Sequence, residues 1–343
     1  MPQQKNHLKL PVYLCLTLLL AAVICLCICI GSVNLPLRDT LRILARLITG
    51  RPQEAGLSTT VLLSVRLPRV LCTALSGAAL SLSGAAMQGL LKNTLADGST
   101  LGVSSGASLG AVVSIAFGLT FPALPLAGTV TAAVLFAFFS LLIILGLAYK
   151  LDYSLATNTI ILIGVIFSMF ASSIMSIIIA FVPEKIQQIT FWTMGSLQGS
   201  SYLNAGILGA ALVICGAVLL SLTQELNAFA VGEENAAHIG VPVRRVKLTV
   251  LITVSVLIGV CVSVGGTISF VGLVTPHMVR MVCGPNHKKV LPLSLYTGAI
   301  FLLLADLAAR TLLKPRELPI GVVTSIIGAA AFAVILYRSR KGK

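Results

Sequence analysis

Charge is what this sequence has least of. Only 10% of its 343 residues are Asp, Glu, Lys or Arg, whereas about a quarter of a soluble globular domain is charged. That shortage excludes an ordinary water-facing surface. Ionisable residues inside the apolar runs are scarcer still, and such groups are costly in a membrane and functional where they occur. Catalytic signatures are missing as well: there is no GxxxxGK[ST] phosphate loop, no HExxH, no cysteine pair at zinc spacing, and no Ser, His and Asp brought together by spacing. The chain is therefore expected to be non-catalytic, with no metal and no cofactor. His238 and His277 lie in separate segments without ligand spacing and read as polar or capping residues. The eight cysteines sit in or beside apolar runs and read as small packing residues.

What is present is apolar length. Hydrophobic residues make up 57% of the chain, and runs of about 20 residues, enough for a helix to cross a bilayer, recur along it. The fold class is an all-α integral membrane protein, with 1–343 forming a single polytopic transmembrane domain. Ten spans are expected, at Leu14–Ile30, Val70–Leu91, Leu101–Leu119, Leu124–Tyr149, Thr159–Phe181, Asn204–Leu222, Leu248–Val264, Ile268–Val282, Leu291–Leu313 and Pro319–Tyr337. The eighth is short and glycine-rich, so it is expected to be broken or tilted. Lys5 and Lys9 ahead of the first run imitate a signal peptide, but no clean small-residue cleavage site follows, and the run is kept as a span.

A formal charge of +14 would point to nucleic acid in a soluble protein; here Lys and Arg flank spans, where they set topology, and no nucleic-acid partner is expected. An even number of spans puts both termini on one side. The basic tails (Lys5, Lys9; Arg338, Arg340, Lys341, Lys343) make that side the cytoplasm of a multi-pass protein. Outside it, residues 34–69 carry Leu37, Leu41, Leu44 and Ile48 on one helical stripe and Arg38, Arg42 and Arg46 on another. Asn34 can cap that helix and Gly50 can end it, giving an amphipathic helix whose arginines meet membrane lipid phosphates.

The longest polar interruption is the cytoplasmic loop at about 223–247. Glu233 and Glu234 open a short helix after Gly232, and Gly240 with Pro242 closes it. A helix this short is marginal alone and needs a surface, its own domain or a partner, and a partner is expected. In the spans, Gly102, Gly106 and Gly110 form a groove for close packing. Ser168, Ser172 and Ser176 form a mildly polar stripe that serves a translocation path or a helix contact equally well. Asp306 and Arg310 stand four apart and can neutralise each other. Trp192, the only tryptophan, reads as an interfacial anchor.

Six motifs in order then carry a resemblance: RLPRV (Arg66–Val70), SGAAMQGLLKNTLADGSTLGVSSGA (Ser83–Ala107), GEENAAHIGV (Gly232–Val241), GGTISFVGLVTPHMVRMVCGPNHKKVLPLS (Gly265–Ser294), LLADLAARTL (Leu303–Leu312) and ELPIGVVTSIIGA (Glu317–Ala329). Together they resemble the FecCD family, permease subunits of ATP-binding cassette (ABC) importers for iron-siderophore complexes, haem and cobalamin. Two departures stand out. Thr94 and Gly98 replace the prolines of the usual NPLADP, and Gly328–Phe332 reads GAAAF without the usual proline kink. The resemblance implies a type II ABC importer permease fold in the cytoplasmic (inner) membrane. Its implied partners are a second permease subunit, ATP-binding cassette ATPase subunits and an extracytoplasmic substrate-binding protein. It assigns ATPase coupling to Glu233, Glu234, Ala236, Ala237 and Gly240, and outer docking of the binding protein to Arg66, Arg69 and Arg310. For those arginines the residues alone also allow lipid-phosphate contact and, at Arg310, simple neutralisation of Asp306. The cargo reads as an iron-siderophore-type chelate, with cobalamin or haem as the alternative. An ATPase-independent carrier or channel is the reading from another class, opposed by the scarcity of mid-membrane carboxylates.

Overall fold

A computed structural model of the chain describes residues 10–31, 35–52, 56–94, 96–97, 101–119, 127–153 and 155–341. Every regular element among them is helical. In order these are α1 (Leu10–Cys29), α2 (Leu37–Ile48), α3 (Leu57–Leu90), α4 (Val103–Ala116), α5 (Ala127–Leu151), α6 (Thr157–Phe181) and α7 (Ile186–Thr193). The second half adds α8 (Tyr202–Ser221), α9 (Thr223–Phe229), α10 (Glu233–His238), α11 (Val243–Gly265), α12 (Val271–Cys283), α13 (His287–Thr311) and α14 (Ile320–Lys341). Seven helices, α1, α3, α5, α6, α8, α11 and α13, are long and apolar enough to cross a membrane. The shorter apolar helices α4 and α12 and the apolar first part of α14 (Ile320–Val334) bring the set to the ten expected spans. Asn34, Gly98, Leu124, Lys5, Lys9 and Lys343 lie outside the described residues.

The bundle is built around α3. Its apolar window is 83% buried, against 17% for α1 and 22% for α6. It packs on α13, α12, α11 and α8, which its small residues permit. A Cβ on Gly77 would run into the carbonyl of Gly298 in α13, and one on Gly84 into the backbone of Gly272 in α12. The Gly102, Gly106 and Gly110 groove does the same work elsewhere: Gly106 and Gly110 face Ser140, Phe136 and Ala132 of α5, while Gly102 faces Gly164 of α6. Close backbone approach replaces the hydrophobic drive that lipid cannot provide.

Three expectations change. α3 starts at Leu57, well before Val70, and its residues Val61–Arg66 form a π-helical stretch. Pro68 lacks the N–H that would bond Ser64, so a widened turn at this point is physically reasonable. In α2, which Gly50 (φ 65°) follows, Thr40 and Ile43 are the buried residues while Leu41 is exposed, so the inward stripe is rotated from the expected one. Arg38 and Arg42 are exposed, as the amphipathic reading requires. Trp192, expected at an interface, is half-buried and packs against Val112, Ile115 and Ile189.

The glycine-rich eighth span is not broken within itself: α12 is one continuous helix, and the non-helical stretch lies at its start, between the seventh and eighth spans. α11 stops at Gly265, residues 266–270 are not helical, and α12 contributes only 13 residues, about 20 Å at 1.5 Å per residue. Backbone exposed by this break must be satisfied by protein. Ser196 N donates to Gly265 O at 2.8 Å, and Thr267 Oγ1 donates to Thr193 O. α14 is continuous helix through Gly328–Phe332.

Because the atoms facing Gly84 are backbone and cannot swing away, Gly84→Ala is expected to destabilise the protein by ~1–3 kcal/mol. Gly146→Ala, which meets nothing within 4 Å, should be neutral or stabilising by up to ~1 kcal/mol. Thermal unfolding of the two variants in the same detergent checks the contrast.

Candidate functional site

Two ionic assemblies stand at opposite ends of the bundle. Asp306 lies 19 residues beyond His287 along α13, about 29 Å at 1.5 Å per residue.

At the far end, Asp306 is completely buried and lies between two guanidinium groups. Arg69 of α3 donates from Nε and Nη2 to Asp306 Oδ1 at 3.0 and 2.9 Å, and Arg310 Nε lies 2.9 Å from Oδ2. The expected neutralisation of Asp306 by Arg310 is thus present, with Arg69 as a second partner. Arg69 Nη1 also donates to Glu317 Oε2 at 2.7 Å, and Gln198 Nε2 donates to the same oxygen at 2.6 Å. Arg66 Nη1 donates to the carbonyls of Ile28 and Cys29 at 2.8 and 3.1 Å, and Arg310 reaches the Cys27 carbonyl at 3.4 Å. The last carbonyls of α1 have no partner within their own helix, and here guanidinium groups from α3 and α13 take them up.

This placement corrects the view of Arg66, Arg69 and Arg310 as exposed charges. They are 4%, 7% and 2% exposed, because the enclosing helices supply carboxylates and carbonyls that solvent would otherwise replace. Arg69 borders a depression of about 530 Å³ shared with Ser64, Pro68, Gln198, Tyr202 and Glu317.

At the near end, α9 anchors through buried Leu226 and Phe229. Its Asn227 Oδ1 accepts from the backbone N of His287, while Asn227 Nδ2 donates to Asn286 Oδ1. α10 follows Gly232, whose φ of 132° suits glycine. Ala236 is fully buried against the chain's own helices, which corrects its assignment to a partner surface: six residues need a tertiary anchor before anything else can bind them. Glu233 also faces inward, toward Lys247 of α11, with Nζ to Oε2 at 2.6 Å. Glu234, Ala237, His238, Ile239 and Gly240 are exposed, and Ile239 together with Val231 leaves apolar surface uncovered. Of the five expected coupling residues, Glu234, Ala237 and Gly240 therefore face outward, and Glu233 and Ala236 inward. His238 and His277 are far apart in the fold, His238 exposed on α10 and His277 edge-on to Phe332 of α14.

On α6, Ser168 is half-buried while Ser172 and Ser176 are exposed. Ser168 donates to Gly164 O at 2.8 Å and Ser176 to Ser172 O at 2.9 Å, so two of these hydroxyls are satisfied within their own helix. α6 packs on α4 and α5 and leaves its serine-bearing face open. Sequence reasoning missed a second polar surface, a cavity of about 340 Å³ inside the bundle. Its hydroxyl groups come from Ser104, Ser105 and Ser108 of α4, Thr193, Thr267 and Ser269. The visible signal was the seryl pattern between Gly102, Gly106 and Gly110, which reads as packing until α12 is seen to start late.

Comparison with known proteins agrees with this architecture. The uncharacterized ABC transporter permease protein YvrB of Bacillus subtilis (strain 168) is 42% identical over 336 residues, covering 94% of this chain and 92% of that protein. The cobalamin import system permease protein BtuC of Halobacterium salinarum is 38% identical, covering 80% of this chain and 72% of that protein. A solved structure described as an inward-facing ABC transporter of metal-chelate type superposes with a TM-score of 0.84 at 32% identity, covering 96% of this chain and 100% of that one. The description FecCD transport family matches residues 19–338, nearly the whole polytopic domain. The chain belongs to the FecCD transport family and is a membrane permease subunit of the ABC importer type.

Proposed function

We propose that this permease moves an iron-siderophore-type metal chelate across the cytoplasmic membrane on ATP hydrolysed by a partner subunit. The observation that carries the cargo is its match, over nearly its whole length, to the metal-chelate type transporter. Cobalamin is the second reading, favoured by the Halobacterium relative; haem belongs to the same class of large chelates. An ATPase-independent carrier is disfavoured by charge. Asp306, the one fully buried carboxylate among the described residues, is held by two guanidinium groups and offers no free relay, while the half-buried Asp97 lines the polar cavity. Both termini are placed in the cytoplasm by the basic residues at the ends of the chain. The test is uptake into liposomes of radiolabelled ferric siderophore and of cobalamin, with and without the ATPase subunits. Uptake without ATPase would revive the carrier reading; uptake of cobalamin alone would reassign the cargo.

The outward face of α10 is the ATPase-coupling surface in this reading: a short amphipathic segment fixed by Glu233 and Ala236, presenting Glu234, Ala237 and Ile239 to a groove on the ATPase. Ala237→Trp is expected to lower co-purification of the ATPase at least ~tenfold, a loss of ~1.4 kcal/mol or more. Ala236→Trp should instead lower thermal stability of the permease itself. Pull-down yield and unfolding temperature, measured together, separate the two effects.

Ser168, Ser172 and Ser176 face a path at the interface with a second permease subunit. Cysteines introduced there, with the native cysteines removed, are expected to react with small water-soluble thiol reagents in at least one nucleotide state. Protection at Ser172→Cys and Ser176→Cys in every state would assign the stripe to helix or lipid contact.

The docking role narrows to the depression beside Arg69 and Glu317, where an acidic residue of the binding protein would compete with Glu317 for Arg69. Glu317→Gln removes that competitor and one negative charge. Association with the binding protein is expected to quicken ~threefold or more at low salt, since removing a negative charge beside the depression raises the positive potential that steers an acidic partner. An unchanged rate in stopped-flow binding would remove the depression as the docking site.

A further inference from the structure

We infer that Lys247 is the positioning residue that makes α10 and the start of α6 move as one body, so that displacement of α10 reaches the serine-bearing helix. The inference rests on the reading of α10 as the coupling element and adds the link behind it.

Three segments meet at this one ammonium group. Lys247 belongs to α11 and is 2% exposed. Its Nζ donates to Glu233 Oε2 of α10 at 2.6 Å and to the carbonyl of Leu155 at 3.1 Å. Leu155 lies in the connection from α5 to α6, two residues before α6 begins. It is fully buried, has φ 53°, and its N donates to Asp152 O at 3.0 Å. Thr157, the first residue of α6, places its hydroxyl 3.5 Å from the other oxygen of Glu233. Glu233 therefore touches α6 directly and through Lys247.

A buried ammonium group is tolerable only while its oxygens stay in place, and removing one partner leaves an uncompensated charge. Separating α10 from the α5–α6 connection would do that, so the two are tied at this point. Contact between α10 and the rest of the chain is otherwise slight, with Ala236 its one buried residue. Arg244, one turn earlier on α11, clasps the same connection from outside: its guanidinium lies 4.3 Å from the Tyr153 ring centroid and donates to the Tyr153 hydroxyl at 2.9 Å. That clasp reaches α5 and the connection but not α10. Only Lys247 spans all three.

The test uses the permease assembled with its ATPase, in a background lacking the native cysteines. Spin labels are placed on the exposed positions His238→Cys of α10 and Asn158→Cys of α6. In the parent and in Lys247→Arg, one narrow distance is expected with and without ATP. In Lys247→Met, the distribution should at least double in width, and the nucleotide-dependent change in reactivity of Ser172→Cys should fall at least fivefold. A role confined to stability would lower yield or unfolding temperature and leave both readouts as in the parent. Glu233→Gln is the milder second variant, which keeps the Leu155 bond; it should widen the distance while the protein still inserts. A narrow distance together with an unchanged Ser172→Cys response in Lys247→Met, or in Glu233→Gln should Lys247→Met fail to insert, would overturn the inference. If no ATPase co-purifies with the parent, the coupling reading itself fails, a result distinct from either.

Discussion

The arrangement of α1, α3 and α13 depends on the carboxylate of Asp306. Inside a bundle facing lipid, a lone charge is intolerable, and an aspartate there must find cations whose remaining donors are also satisfied. Arg69 and Arg310 meet that demand from two helices, and their outer nitrogens go on to Glu317 and to the carbonyl end of α1. Arg66 completes the capping of α1. A salt bridge of this kind adds little stability over an apolar replacement, but it fixes register, since α3 cannot slide against α13 without stranding a charge. The glycine contacts between α3 and α13 then fall into place at Gly77 and Gly298, two helical turns below.

The same rule acts at the other end with one pair in place of a cluster. Lys247 and Glu233 join α11 to a helix too short to hold itself, and Asn227 ties α9 to the first turn of α13. Between these ends the chain relies on small residues in α3 and α4, and on backbone donors and hydroxyls where α11 gives way to α12. The polar cavity lies at that break, where nonhelical backbone can survive at depth because protein surrounds it.

Much of this was legible from residue order. Ten apolar runs, the interruption before α12, the short helix at Glu233 and the pairing of Asp306 with Arg310 all follow from hydropathy, glycine and spacing within a few turns. What escaped depends on contacts between distant segments. The start of α3 was placed at Val70 because Arg66 and Arg69 look like surface charges in isolation; they continue the helix because Asp306, Glu317 and the carbonyls at Ile28 and Cys29 lie more than 30 residues away. Ala236 and Ala237 are adjacent and chemically identical, and only the fold decides which one faces inward. The inward face of α2 turned on Ile43, one position from the Leu44 of the expected stripe, a rotation that helical period alone does not resolve. Ser104, Ser105 and Ser108, between the glycines of the expected packing groove, carried no local sign that they line a cavity.

The distribution of contact types also constrains where movement can occur. α3 meets α12 and α13 by close backbone approach at Gly77, Gly84, Gly272 and Gly298, and at those points no side-chain rotation can make room for a shift. Packed interfaces of this sort hold one arrangement or change as a whole. α6 is different: it is among the least buried of the long helices, its polar face is open, and its first turn meets the rest of the chain beside the Lys247 link. Under the coupling role proposed for α10, displacement there is expected to meet a rigid core on one side and, through Leu155, the less buried α6 with its Ser168, Ser172 and Ser176 face on the other.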